Sequence, residues 1–170
     1  MRSHHTKEQQ GSDARQDKIT IFCDGACSGN QFGENVGGWG AILIYKAMSK
    51  ELYGGQKNTT NQRMEITACI KALQQLKRKD LPVEIRSDSA YLVNCMRAKW
   101  YEQWQRNGWK TSNGTPVKNK DLWLALAEAS QRHTIDWHWV KGHAGHPENE
   151  RCDELARSAI REQAAGQVAP

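Results

Sequence analysis

The chain has 170 residues, 38% of them hydrophobic and 25% charged, which is the size of one domain with short tails. No run approaches the roughly 18 apolar residues that a membrane span requires, and no basic start followed by an apolar stretch marks a secretory signal. Lys and Arg outnumber Asp and Glu by 24 to 19, a net charge of +5, and residues 57–132 alone carry 14 Lys/Arg against 7 Asp/Glu. A basic middle flanked by neutral or acidic ends indicates a polyanion lying across one face, without saying which polyanion. The five cysteines (Cys23, Cys27, Cys69, Cys95, Cys152) form no CxxC pair. In a domain of this size that argues for reduced thiols and a cytoplasmic setting.

Residues 1–17 are polar and aperiodic and read as a mobile N-terminal tail that includes His4 and His5. Residues 164–170 read as a C-terminal tail, leaving one domain over 18–163 without internal repeat or linker. Within it, KITIFCD alternates Ile19, Ile21 and Cys23 on one face and predicts a strand. A Gly-rich turn follows, then WGAILIY as a second strand and Glu51 to Gln56 as a third, an antiparallel meander. Thr59-Thr60-Asn61 offers N-cap chemistry for a helix with Ile66, Cys69, Ile70, Leu73 and Leu76 on one stripe. Pro82 marks its exit, and VEIRSD predicts a fourth strand. Helices are predicted at Ser89–Ala98 and Asp121–Arg132, with the aromatic, basic stretch KWYEQWQRNGWK between them. TIDWHWV alternates Ile135, Trp137 and Trp139 inward as a fifth strand. Asn149–Glu162 closes the domain as a helix with Cys152, Leu155, Ala156, Ala159 and Ile160 inside. The fold class is α/β, a five-stranded mixed sheet with three antiparallel strands first and helices packed on both faces.

Four carboxylates stand out by position. Asp24 is expected at the end of the first strand, Asp88 at the end of the fourth, Glu65 early in the first long helix and Asp153 on the last. Strand ends at topological crossings are where α/β sheets place ligands, and pairing of strands one and four would make Asp24 and Asp88 neighbours. Taken singly each has an ordinary role: Asp88 as a helix cap, Glu65 as a partner of a helix dipole, Asp153 as a solvated charge. Converging carboxylates repel and call for divalent cations. Hard oxygen donors suit Mg²⁺ or Mn²⁺ rather than zinc. Two such ions can activate a water and stabilise the leaving oxygen of a phosphodiester. His143 and His146 lie in a Gly-containing loop before the last helix. With no fourth soft ligand in place, a proton-shuttling role for a histidine fits better than a zinc site.

The blocks IFCDGACSGN, TTNQRMEITACIKAL, IRSDSAYLV, WYEQWQRNGWKT, PVKNKDLW and WVKGHAGHPENERCDELA occur in this order. Together, over about residues 18–160, they resemble bacterial type 1 ribonuclease H. The resemblance implies the ribonuclease H-like fold and endonucleolytic hydrolysis of the RNA strand of RNA–DNA hybrids, leaving 3′-hydroxyl and 5′-phosphate ends. It implies that Asp24, Glu65, Asp88 and Asp153 hold two Mg²⁺ ions, with Asp24 shared. His143 would assist proton transfer or product release, and Glu148 lies in the same loop. Cys27, Asn30, Asn61 and Gln62 would read the 2′-hydroxyls of the RNA strand. Thr60 and Asn119 would grip a DNA phosphate, and Trp100 and Trp104 would contact deoxyribose, one packing inward and the other exposed. Trp109 is expected to be structural. Lys99, Arg106, Lys110, Lys118 and Lys120 would add salt-sensitive affinity. A monomer is expected.

Three features depart from the family pattern. The turn after Asn30, QFGENVGG, is longer than a PGPGG-like turn and lacks its prolines; Ala90 stands where relatives often carry Gln; and the YEQWQRNG segment carries Glu102 and fewer lysines than basic relatives. Weaker hybrid affinity at high salt is the expected consequence. Residues 1–17 are too short and polar for a separate hybrid-binding domain. The competing readings are another nuclease of the same fold (junction resolvase-like), a non-catalytic hybrid-binding module, and a reverse-transcriptase-like fragment.

Overall fold

The computed structural model describes residues 17–29 and 34–166. The expected N-terminal tail up to residue 16, the end of the C-terminal tail from residue 167, and Asn30 lie outside the described residues.

The strands are β1 (Ile19–Gly29), β2 (Asn35–Tyr45), β3 (Met48–Lys57), β4 (Val83–Ser87) and β5 (Ile135–Trp139). The helices are α1 (Asn61–Gln75), α2 (Ala90–Ala98), α3 (Trp100–Asn107), α4 (Lys120–Gln131) and α5 (Pro147–Ala164). The sheet order is β3-β2-β1-β4-β5. β1, β2 and β3 form the antiparallel meander, while β4 joins β1, and β5 joins β4, in parallel.

Alternation along β1 divides the core between the two faces of the sheet. Ile19, Ile21 and Cys23 join Ile66, Cys69, Ile70 and Leu73 of α1, together with Leu92, Trp123 and Leu126, in one buried cluster. Phe22 and Ile42 pack on the opposite face against Cys152 and Leu155 of α5. Each fully buried aliphatic side chain of this kind contributes about 1.5–3 kcal/mol of transfer free energy. Helices therefore cover both faces.

Two expectations are corrected. The chain does not leave the strand for a turn directly after Asp24. β1 runs on to Gly29, and its residues Gly25–Gly29 pair with Trp39–Asn35 of β2. Ladder hydrogen bonds along both strands override a composition that reads as loop, so Asp24 sits in mid-strand. Trp139 is not inward: it is the last residue of β5, past the margin of the core, and 51% exposed. The aromatic, basic stretch forms a helix of its own, α3, which leaves α2 through Lys99 at φ +53°.

Candidate active site

The parallel pairing of β1 with β4 runs in register from Ile19↔Val83 to Cys23↔Ser87. The residue that follows each member of that last pair is an aspartate, so the ladder itself sets Asp24 beside Asp88. The third acid arrives from α1. Thr60 caps that helix, its Oγ1 accepting the Arg63 N–H at 3.2 Å, and Glu65 follows one turn on. β1 and α1 approach so closely that a Cβ on Gly25 would lie 2.4 Å from the Glu65 nitrogen. Only glycine permits that contact. Carboxylate oxygens of Asp24, Glu65 and Asp88 consequently lie within 4.8 Å of one another.

Asp24 is buried, and its Oδ1 accepts the Gly25 N–H at 2.8 Å. Burial first, then repulsion from Asp88, pushes its pKa up to about 8, with Asp153 and Glu65 adding to the effect and the Gly25 bond opposing it. Burial likewise raises Glu65 to about 7, with Asp88 adding and a hydrogen bond from the Ser89 side chain opposing. Three hard oxygen donors, two of them reluctant to ionise unaided, make a donor set that fits a Mg²⁺-type cation. Among the described residues no other group of three or more His, Cys, Asp or Glu side chains is similarly gathered.

Asp153 lies on α5, close enough to Asp24 to repel it, but its carboxylate is paired with Arg157 one turn along the helix and stands outside the three-acid group. His143 is exposed, at φ +55°, in the loop between β5 and α5. That loop touches the acids, because a Cβ on the preceding Gly142 would lie 2.9 Å from Asp88 Oδ2. Glu148 is half-buried in the first turn of α5, and His146 occupies the N-cap of that helix without a side-chain cap bond. The capping role considered for Asp88 belongs to Ser89, whose side chain accepts from Leu92 N–H.

The expected nucleic-acid contacts are distributed around this centre. Cys27 Sγ donates to the Thr59 carbonyl at 3.6 Å, and Asn61 is exposed at the start of α1. Gln62 Oε1 accepts from Asn119 Nδ2 at 2.9 Å, and Asn119 Oδ1 accepts from Arg63 at 3.2 Å. Arg63 in turn holds Asp121 through two bonds of 3.0 and 2.8 Å. Thr60 and Asn119 are thus linked through the first turn of α1 rather than bonded to each other. Trp100 and Trp104 are both half-buried, which corrects the expectation of one inward and one exposed. Their ring centroids are 6.3 Å apart, and they continue into Tyr91, Trp109 and Trp123 at 5.5–6.0 Å. Trp109 is buried, as expected. Lys99, Arg106, Lys110, Lys118 and Lys120 all face solvent around that aromatic cluster.

The RNase H family model matches residues 16–161. The chain belongs to the RNase H family. Its relatives include the Ribonuclease H of Chelativorans sp. (strain BNC1), 56% identical over 143 residues that cover 84% of this chain and 85% of that one. That of Moorella thermoacetica is 55% identical over 143 residues, covering 84% and 91%. Among solved structures, LC9-RNase H1, a type 1 RNase H with the type 2 active-site motif, aligns with a TM-score of 0.75 at 32% identity over 92% of this chain and 76% of that one. LC11-RNase H1 in complex with RNA/DNA hybrid aligns at 0.65 and 23% identity, covering 86% and 99%, and shares the fold. The RNase H assignment makes the chain an enzyme, a ribonuclease H.

One contact of this RNase H site had no signal in the sequence. The Trp139 indole N–H donates to the Asp88 carbonyl at 3.0 Å, while the Val140 N–H donates to the Ser87 carbonyl at 2.9 Å. β5 thereby ties down the backbone on which Asp88 sits. Trp139→Phe keeps the aromatic bulk but removes the donor. We expect the Mg²⁺ concentration for half-maximal thermal stabilisation to rise several-fold, as for one lost bond of about 1 kcal/mol; an unchanged titration refutes the role.

The raised acids also set a pH dependence. In an unfolded chain Asp and Glu ionise near ~4, whereas the native, metal-free protein keeps protons on Asp24 and Glu65 up to about 8 and 7. The native state binds more protons across that window, so metal-free stability falls as pH rises from about 4 to 8. Asp24→Asn removes the cost of ionisation. It should raise the metal-free Tm at pH 8 by on the order of 5 °C and by progressively less toward pH 4.5, as read by calorimetry in EDTA. A lower Tm at pH 8 would contradict the electrostatic account.

Proposed function

We propose that this RNase H hydrolyses the RNA strand of RNA–DNA hybrids endonucleolytically, with two divalent ions, Mg²⁺ or in substitution Mn²⁺, and leaves 3′-hydroxyl and 5′-phosphate ends. The observation that carries the reading is the convergence of Asp24, Glu65 and Asp88 within 4.8 Å in a chain of this family. A solved relative of the same fold is in complex with RNA/DNA hybrid.

Asp24 would be the ligand shared by both ions, Glu65 and Asp88 would serve the leaving-group side, and Asp153 would complete the site of the attacking water. When bound, such ions lower the pKa of a water and offset charge developing on the leaving oxygen. Asp153 would first turn from Arg157, an exposed pairing worth no more than about 1 kcal/mol. His143, solvent-exposed on a loop that abuts Asp88, would take or return a proton at an imidazole nitrogen. Glu148 would support that loop.

Cys27, Asn30, Asn61 and Gln62 would meet the 2′-hydroxyls that distinguish an RNA strand. Thr60 and Asn119 would hold a phosphate of the DNA strand, and the edges of Trp100 and Trp104 left open by the aromatic cluster would meet its sugars. The exposed Lys99, Arg106, Lys110, Lys118 and Lys120 would supply counterion-release affinity, which weakens with salt. The protein would act as a cytoplasmic monomer, with its working domain over residues 18–163.

The test is cleavage of labelled hybrid, double-stranded RNA and double-stranded DNA with Mg²⁺ and with EDTA. Only hybrid should be cut, only in its RNA strand and only with metal; efficient cutting of duplex DNA would overturn the reading. Asp88→Asn should abolish cleavage while leaving the fold intact, and near-wild-type turnover would refute the metal assignment. His143→Ala should lower kcat roughly 10²-fold without abolishing it, because the acids and ions remain. Either complete loss or no change in kcat removes the proton-transfer role.

A further inference from the structure

Asn35 opens β2 and reaches across to Asn58–Thr59, the two residues that lead from β3 towards α1. Its side-chain Oδ1 accepts the Thr59 N–H at 2.8 Å, and its backbone carbonyl accepts the Asn58 N–H at 2.9 Å. From the neighbouring strand, Cys27 Sγ donates to the Thr59 carbonyl at 3.6 Å. The Thr59 peptides are therefore held at the N–H by β2 and at the C=O by β1. Thr59 itself is 3% exposed, its hydroxyl has no partner among the described residues, and its methyl fills the space a Cβ on Gly37 would need, 2.2 Å away. Asn58 adopts φ +54°, a left-handed conformation that asparagine tolerates better than most residues.

A buried unsatisfied hydroxyl and a left-handed residue both cost free energy, and they sit where the chain enters α1. Immediately after the clamp come Thr60, the cap of α1, then Asn61 and Gln62, and the helix continues to Glu65. Asn35 belongs to the part of the chain that departs from the family's PGPGG-like turn. It is only half-buried and lies outside both apolar clusters, so its contacts serve placement rather than core packing.

We propose that Asn35 is a positioning residue for substrate: by clamping Asn58–Thr59 it sets where Thr60, Asn61 and Gln62 stand relative to the carboxylates, and so how tightly and selectively an RNA-bearing strand is held. This rests on the hybrid-cleaving function proposed above. The clamp does not touch the acids. Its removal therefore acts on binding and leaves the chemical step in place.

Asn35→Ala removes the side-chain acceptor. The expected result is a KM for hybrid raised about fivefold with kcat within about twofold of wild type, the size of effect one lost neutral hydrogen bond produces. The Mg²⁺-dependent thermal shift should be unchanged, and the preference for binding hybrid over duplex DNA in EDTA should fall by a similar factor. Asn35→Asp keeps an acceptor for the Thr59 N–H, and it should recover the preference at elevated salt, where its added charge is screened. An unchanged KM in Asn35→Ala overturns the inference. A fall in kcat together with a lost Mg²⁺ response also overturns it, since that is the signature of general structural damage. A wild-type protein that does not cut hybrid overturns the proposed function itself, a result distinguishable from either of these.

Discussion

Mutual repulsion among carboxylates that the fold does not allow to separate is the constraint around which this molecule is organised. Asp24 and Asp88 follow directly on the last paired residues of a parallel ladder, Cys23↔Ser87. Parting them would unzip strands whose preceding residues, Ile21, Cys23, Val83 and Ile85, are all buried. Glu65 cannot retreat either, because α1 lies against β1 at Gly25 and is anchored by Ile66, Cys69 and Ile70 in the same core. Close-packed interiors do not yield gradually to a local force. Burial first, and this repulsion after it, are instead expressed as raised pKa values of Asp24 and Glu65, and a bound divalent cation is the agent that relieves the repulsion. Hydrophobic packing in this way holds a charge arrangement in place that the charges themselves oppose.

The proposed nucleic-acid face is built on a different principle. Tyr91, Trp100, Trp104, Trp109 and Trp123 meet in T-shaped and tilted pairs from three helices and the loop after α3. α3 has no fully buried residue, and these rings fasten it to the body of the domain. Lysine and arginine side chains project from that base into solvent, with Lys120 lying over the Trp109 ring at 5.6 Å. Flexible charges on a fixed platform suit recognition of a phosphate backbone, which demands proximity more than exact geometry. The acids need the opposite, fixed geometry with little solvent.

Reading from the sequence succeeded where periodicity and burial act together. Ile21 and Cys23, the α1 stripe and the inner face of α5 all lie where their spacing places them, and the order of elements follows. Glu65 and Asp88 were recognisable because a helix start and a strand–helix junction mark them, and the family blocks mark Asp24 along with them. The glycine-rich run after Asp24 misled because composition describes local freedom, whereas the β1–β2 ladder is a partnership with residues on another strand. Trp139 misled because alternation gives the direction of a side chain but not where the core ends. Its bond to the Asp88 carbonyl, like the Asn35 clamp, joins segments distant in the chain through a single side-chain atom, and contacts of that kind leave no periodic trace. The Asp153–Arg157 pairing is the converse: an i, i+4 pair that the helix pattern permits, competing with a more distant role for the same carboxylate.

α1 joins the two systems. Its first-turn residues Gln62 and Arg63 are tied to Asn119 and Asp121 at the start of α4, and Glu65 enters the acid cluster from the next turn. At 1.5 Å of rise per residue, Glu65 stands only about 7.5 Å along the axis from Thr60. Glu65 is nevertheless held in its own right, by the close approach of α1 to β1 at Gly25 and by Ile66, Cys69 and Ile70 in the core. What fixes the entry to α1 therefore governs the proposed grip on the polyanion and leaves the alignment of the acids to that packing. The two strands that grip the Thr59 peptide do this from outside the acid cluster, so the grip could be altered without adding to the charge already confined there.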